Sequence, residues 1–216
     1  MDLLQAAGRR PESDSDQEAA GARRERAHGS TPLVLGLVLA GGSSSRMGRD
    51  KALLERGGES LVAAAVRRLE AAVGDVVLAD AGRRYLPGWT SVADGPGRGP
   101  AAGLLGAAAA FPGRPLLALA CDLPWIPVSL LAHLAASSAD WTVPATQRGL
   151  EPLCALYRPQ ALELVARRVA AGRFDLHGLA EEAGIEVRVI APAELATFGP
   201  PERLFANWNR PEDMTG

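Results

Sequence analysis

The sequence predicts an α/β domain, a three-layer α/β/α sandwich around a mostly parallel sheet. From Pro32 onward, short apolar runs alternate with longer Ala-, Leu- and Arg-rich stretches, the pattern of β-α-β units. The first run, residues 33–40, is apolar throughout, as a strand covered on both faces requires. Composition agrees: the 216 residues are 47% hydrophobic and 22% charged, which suits one globular domain and excludes a collagen, a coiled coil or a wholly disordered chain. A net charge of −2 and a pI near 6.0 provide no basic excess for a nucleic-acid backbone, so no nucleic-acid partner is expected.

Residues 33–40 are expected to form the first strand, with a Gly/Ser loop at its carboxyl end. Residues 60–72 place Leu61, Ala64, Ala65, Arg68 and Leu69 at helical spacing, with Ser60 as N-cap. Strands are expected at 75–79 and 90–93, then an Ala-rich helix at 101–111 after a Gly/Pro turn. A buried strand at 115–121 is stopped by Asp122-Leu123-Pro124, and a helix at 127–137 carries proline in its first turn. The second half offers strands at 141–144, 152–157 and 185–190, and helices at 159–171 and 176–183. In such sheets ligands bind beyond the carboxyl ends of the strands.

Residues 1–30 hold five arginines and six acids with almost no apolar run. Such a segment buries too little to offset the entropy of ordering, so residues 1–31 are expected to be a disordered, non-cleaved tail before a domain at 32–216. There is no apolar h-region, and Glu12, Asp14, Asp16 and Glu18 do not suit a transit peptide. No run approaches the roughly 18 apolar residues of a membrane span, and no membrane partner is expected. Cys121 and Cys154 lie in mainly apolar surroundings without CxxC spacing, which predicts buried thiols and a cytoplasmic location.

The richest chemistry lies at Leu39-Ala40-Gly41-Gly42-Ser43-Ser44-Ser45-Arg46-Met47-Gly48-Arg49-Asp50-Lys51. Of the chain's 23 basic residues, Lys51 alone is lysine. A glycine-rich turn after a strand lets backbone N–H groups close on an anion, and hydroxyls and cations complete a phosphate cradle. It is neither a Walker A loop nor a GxGxxG fingerprint.

This segment resembles the opening motif LAGGxSxRMGxDK of the molybdenum cofactor guanylyltransferases, the enzymes of molybdopterin-guanine dinucleotide biosynthesis. Further motifs are similar in order and spacing. They are Asp94 followed by Gly99-Pro100-Ala101-Ala102-Gly103, then Ala120-Cys121-Asp122-Leu123-Pro124, then Glu151-Pro152-Leu153-Cys154-Ala155-Leu156-Tyr157. The last is Phe205-Ala206-Asn207-Trp208-Asn209-Arg210-Pro211-Glu212-Asp213, and together the motifs span about residues 34–213. The resemblance implies a Rossmann-like fold of the nucleotide-diphospho-sugar transferase type. It also implies transfer of GMP from GTP to the phosphate of molybdopterin or its molybdenum-loaded form, with release of pyrophosphate. Molybdoenzyme apoproteins or their chaperones would then be recipients of the product.

By the same resemblance, Arg46, Lys51 and Asp122 carry the reaction. GTP contacts fall on Leu39, Ala40, Gly41, Gly42, Ser43, Ser45, Arg46, Lys51, Asp80, Asp94 and Asp122, and the pterin side on Asn207 and Asn209. Two positions depart from the family. Asp80 stands where an asparagine commonly contacts the base, and a carboxylate can only accept. Arg210 replaces the usual threonine.

From the residues alone, Asp122 at the end of a buried strand fits a Mg2+ ligand, since magnesium takes one or two carboxylates plus water and phosphate oxygens; a helix N-cap is the alternative. Asp94 suits an Asx turn, with the nucleotide contact implied by the resemblance; Asn207 and Asn209 suit an ordered turn, with the pterin or metal side of the site implied by the resemblance. His28, His133 and His177 read as structural or exposed. The pairs Arg67-Arg68, Arg83-Arg84 and Arg167-Arg168 read as solvated faces, with Arg83 or Arg158 open as contacts to a pterin phosphate. The rival readings are a cytidylyltransferase or a sugar- or polyol-phosphate nucleotidyltransferase of this fold, and a non-catalytic nucleotide-binding chaperone.

Overall fold

The computed structural model describes residues 33–41 and 51–207, and within it the side chains of Lys51 and Arg56 are left aside. The expected tail at residues 1–31 lies outside the described residues. Among the described residues eight strands form the main sheet, seven of them in the order β10-β7-β9-β6-β1-β4-β5. These seven are β1 (Leu35–Leu39), β4 (Val76–Ala79), β5 (Ser91–Val92), β6 (Leu116–Ala120), β7 (Trp141–Thr146), β9 (Cys154–Tyr157) and β10 (Val187–Ile190). A short strand β8 (Gly149–Leu150) pairs with β7, and β2 (Glu55–Arg56) pairs with β3 (Glu59–Ser60) in a separate hairpin. The β1, β4, β5 and β6 pairings are parallel, as is β7 with β10, whereas β9 runs antiparallel to both β6 and β7.

β1 is the strand at which the connection order reverses. β4 lies on one side of it in register Leu39↔Ala79, and β6 on the other in register Leu39↔Ala120. A crevice opens beyond the strand ends at such a switch point.

Alternation along β1 builds two cores. Val38 faces α1 (Leu61–Val73) and α3 (Val128–Ala135), while Leu35, Leu37 and Leu39 face α2 (Pro100–Ala110) and α4 (Pro159–Ala170). The result is the three-layer sandwich that the run pattern predicts. Ser60 caps α1 by accepting from Ala63 N at 3.3 Å, and α1 starts one residue later than its periodicity suggests.

α2 is apolar all round and packs through its glycines. A Cβ on Gly103 would lie 2.9 Å from the Ala79 Cβ, and one on Gly106 would lie 1.9 Å from the Ala93 carbonyl oxygen. Only hydrogen at these positions lets the helix approach β4 and the chain after β5 so closely. The expected helix at 176–183 is instead a 3-10 turn, His177–Glu181. Two short helices, α5 (Pro192–Leu195) and α6 (Pro201–Leu204), and the β2–β3 hairpin were not assigned from the sequence. The hairpin turns on Gly57-Gly58, both at positive φ, which is the signal that could have revealed it.

Candidate active site

The parallel strands end along one edge, and the loops after β1, β4 and β5 frame an open cleft of about 710 Å³. Leu39 and Gly41 line it from the end of β1, and Ala79, Ala81 and Arg83 from β4 and its loop. Asp94 and Arg98 come from the loop after β5, and Gly99, Pro100 and Gly103 from the start of α2. Phe174 and Asp175, from the chain after α4, form a further wall that no sequence motif signalled.

Backbone bonds fix the floor. Ala40 N and Gly41 N both donate to the Ala79 carbonyl at 3.0 Å, and Cys121 N donates to the Leu39 carbonyl. A Cβ on Gly41 would meet its nearest neighbours at 3.5 Å, ordinary contact, so the protein's own packing does not demand glycine there. The N-terminus of α2 has no side-chain cap, and its N1 residue is Pro100. Helix N-termini favour anions, so the partial positive charge of α2 faces the same cleft as Arg83 and Arg98.

Asp94 is exposed on the cleft wall. Asp122 is half-buried directly after β6, beside the end of β1. Gly42, Ser43, Ser45, Arg46 and Asn209 lie outside the described residues. Lys51 opens a 3-10 turn, Lys51–Leu53, packed beneath α1 through the buried Ala52.

Asp80 is a correction. It is fully buried and turned into its own loop, where Oδ1 accepts from Gly82 N at 3.1 Å and Oδ2 accepts from Tyr85 N at 3.3 Å and from Ser91 Oγ at 2.9 Å. It does not line the cleft; its neighbours Ala79 and Ala81 do. The carboxylate holds Ala81, at φ +52, in the left-handed region, a conformation that a non-glycine residue keeps only when its surroundings enforce it.

Arg158 is a second correction. Because β9 runs backwards, Tyr157 pairs with Leu116 and Trp141, at the edge where β6 and β7 begin. Arg158 therefore sits at the opposite edge from the cleft and donates to the Ser137 carbonyl. The same reversal puts Glu151, Pro152 and Leu153 at the cleft edge, with Ala120 N donating to the Leu153 carbonyl at 2.8 Å.

Arg67, Arg83, Arg84 and Arg167 are exposed as expected, but the second arginine of two pairs is buried. Arg68 is 8% exposed and donates to the Leu123 and Ile126 carbonyls at 2.8 and 3.1 Å, which pins the loop that Asp122 opens. Burial pulls its pKa down to about 10. Arg168 is 5% exposed and bonds Asp175 and Glu182 at 2.8 and 2.7 Å. The Asp175 carboxyl is held below its usual value, chiefly by the Gly178 N–H and further by Arg168.

The C-terminal motif docks at the same edge. Phe205 is fully buried, its carbonyl accepts from Arg148 Nη2 at 2.6 Å, and the Arg203 guanidinium lies 4.9 Å over the Trp125 ring. Asn207 follows, exposed. His133 bonds Glu194 at 2.8 Å and packs on Phe198 away from the cleft, a structural role as expected. Both cysteines are buried. Among the described residues no group of three or more His, Cys, Asp or Glu could hold a metal, and no helix is long and apolar enough to cross a membrane.

A three-layer α/β fold with its cleft at the switch point, Leu39 and Gly41 on the floor and a helix N-terminus in the wall is the architecture of a nucleotide-binding domain. The chain belongs to the MobA-like NTP transferase domain family, whose model matches residues 36–182. It is a nucleotidyltransferase. A protein of Opitutus terrae named probable molybdenum cofactor guanylyltransferase is 38% identical over 191 residues, covering 83% of this chain and 92% of the relative. The solved structure of molybdopterin-guanine dinucleotide biosynthesis protein A from Archaeoglobus fulgidus shares the fold, with a TM-score of 0.68 at 23% identity over 83% of this chain and 94% of that one. Another structure of this fold, from Mycobacterium tuberculosis, was solved in complex with manganese; its TM-score is 0.54 at 18% identity, over 82% of this chain and 99% of that one.

Proposed function

We propose that this enzyme transfers GMP from GTP to the terminal phosphate of molybdopterin or its molybdenum-loaded form. The observation that carries this reading is the 38% identity, over most of both chains, to a protein named as a guanylyltransferase of that cofactor. An oxygen of the acceptor phosphate bonds to the α-phosphorus, the α–β P–O bond breaks, and its electron pair leaves with pyrophosphate. The attacking phosphate is already an anion at neutral pH, so no general base is required. What the protein must supply is alignment of two charged groups and neutralisation of the leaving group.

Arg46, Lys51 and the loop amides beyond Gly41, with Ser43 and Ser45, hold the β- and γ-phosphates in this reading. Asp94 holds the nucleoside end, and Asn207 and Asn209 the pterin. Asp122 is a single carboxylate at the strand edge, which suits a Mg2+ ion whose other ligands are phosphate oxygens and water. Asp122 would hold the magnesium, and the ion would supply charge neutralisation to the phosphates.

The test is pyrophosphate release from molybdopterin and magnesium, with GTP, CTP, ATP and UTP supplied in turn. Release with GTP alone is the expected result. Release with CTP assigns the chain to cytidylyl transfer, and silence with all four in nucleotide-binding protein assigns another acceptor or a binding role.

A further inference from the structure

The chain after α4 enters the nucleotide cleft as a fixed wall, and nothing in the proposed chemistry yet uses it. Arg168, buried beneath it, donates to the Asp175 carboxylate at 2.8 Å, to the Asp175 carbonyl at 3.3 Å, to the Gly178 carbonyl at 3.2 Å and to Glu182 at 2.7 Å. Four acceptors on one guanidinium lock residues 175–182 to α4. Phe174, immediately before them, is half-buried against the α2/α4 core and presents its ring to the cleft. Gly97, at φ +100, lets the loop after β5 lie flat on this wall, since a Cβ there would stand 3.0 Å from Val169 and 3.3 Å from Phe174. The next residue, Arg98, lays its guanidinium 4.6 Å over the Phe174 ring.

We propose that Arg98, seated on Phe174, reads the base of the donor nucleotide. This inference rests on the nucleotidyl-transfer reading and refines it. The ends of the cleft have different chemistry. The loop that carries the phosphate contacts in that reading follows β1, whereas the far wall offers an aromatic ring carrying a planar cation, a surface suited to a base. A guanidinium stacked on a ring keeps its N–H edge in plane for a paired hydrogen bond. Guanine presents two adjacent acceptors, O6 and N7, that match this fork. Adenine and cytosine place an amino donor where O6 would be, and that donor opposes an arginine.

The experiment measures binding of GTP and CTP, with magnesium, to the full chain and to Arg98→Ala, Arg98→Lys, Phe174→Leu and Phe174→Tyr, by calorimetry. Arg98→Ala should lower the GTP-over-CTP ratio about tenfold or more. Arg98→Lys should fail to restore it, because an ammonium cannot form the fork. Phe174→Tyr should keep the ratio and Phe174→Leu should reduce it. In turnover, the loss in Arg98→Ala should fall on KM for GTP more than on kcat.

An unchanged ratio in Arg98→Ala overturns the proposal. So does an equal loss of GTP and CTP binding, which would make Arg98 a phosphate ligand. Selective GTP binding that depends on Arg98 in an enzyme silent toward molybdopterin would sink the transfer reading and leave this one standing. GTP turnover whose selectivity ignores Arg98 would do the reverse.

Discussion

A guanidinium taken out of water needs most of its donors engaged by the protein, and Arg68 and Arg168 come close by tying down the loop after β6 and the cleft wall after α4, with only Arg68 Nη2 and Arg168 Nε left without a partner. Arg68 holds carbonyls of the loop after β6, and Arg168 holds the wall after α4. Arg83 and Arg98 line the cleft instead. Lys51 is the exception among the basic residues, the single lysine, at the end of the loop that the proposed reading gives to the phosphates. Lys51→Ala and Asp122→Ala are each expected to cost about 10²- to 10³-fold in kcat for pyrophosphate release, with the thermal midpoint little changed. Cys154 makes a separate prediction. Complete burial pushes its thiol up to about 12, so almost none is thiolate near neutrality. In native protein at pH 8 it should resist iodoacetamide and react once the chain is unfolded, which mass spectrometry of the alkylated peptide would show.

Among the elements, α2 has the narrowest tolerance. Gly106 meets the Ala93 carbonyl and Gly95, one residue before and one after Asp94, so the helix sets the position of that carboxylate. Gly106→Ala should destabilise the fold by about 1–3 kcal/mol in denaturant titration and raise KM for the nucleotide, because the added methyl displaces the segment that carries Asp94. A stability loss with unchanged KM would mean that the helix positions nothing in the cleft.

Most elements were legible in the sequence because their periods are strong. Apolar runs gave β1, β4 and β6, and Ser60 and the Gly/Pro turn before residue 101 marked helix starts that the structure holds to within a residue. The motifs placed Asp94 at the cleft and Asp122 at the strand edge. Three features were not legible, for physical reasons. Burial of Arg68 and Arg168 depends on carbonyls and carboxylates far along the chain or in the following loop, and arginine's residue type argues for solvent. The withdrawal of Asp80 depends on Ser91 and Tyr85, which only the folded loop brings to it. The wall at Phe174 comes from a connection whose entry into the cleft follows from packing of α4 on α2, with no local signal.

For the molecule as a whole, the reversed strand β9 decides which residues share an edge. It brings Glu151 to the cleft and takes Arg158 to the far side, though only seven positions separate them in sequence. Composition assigns residues 1–31 no part in this arrangement, so deletion of that segment should leave both the melting temperature and GTP turnover unchanged. A fall in either would give the segment a structural or catalytic task.

The central position of β1 also has a kinetic side. Its Leu35–Leu39 pairs with Val76–Ala79 and with Leu116–Ala120, so the strand made first must wait for partners from the middle of the chain. Closing such distant parallel pairs is entropically slow, and until the second closes a wholly apolar strand is left open on one side. Refolding of this enzyme should therefore be concentration-sensitive, losing yield to aggregation in dense solution and recovering it on dilution.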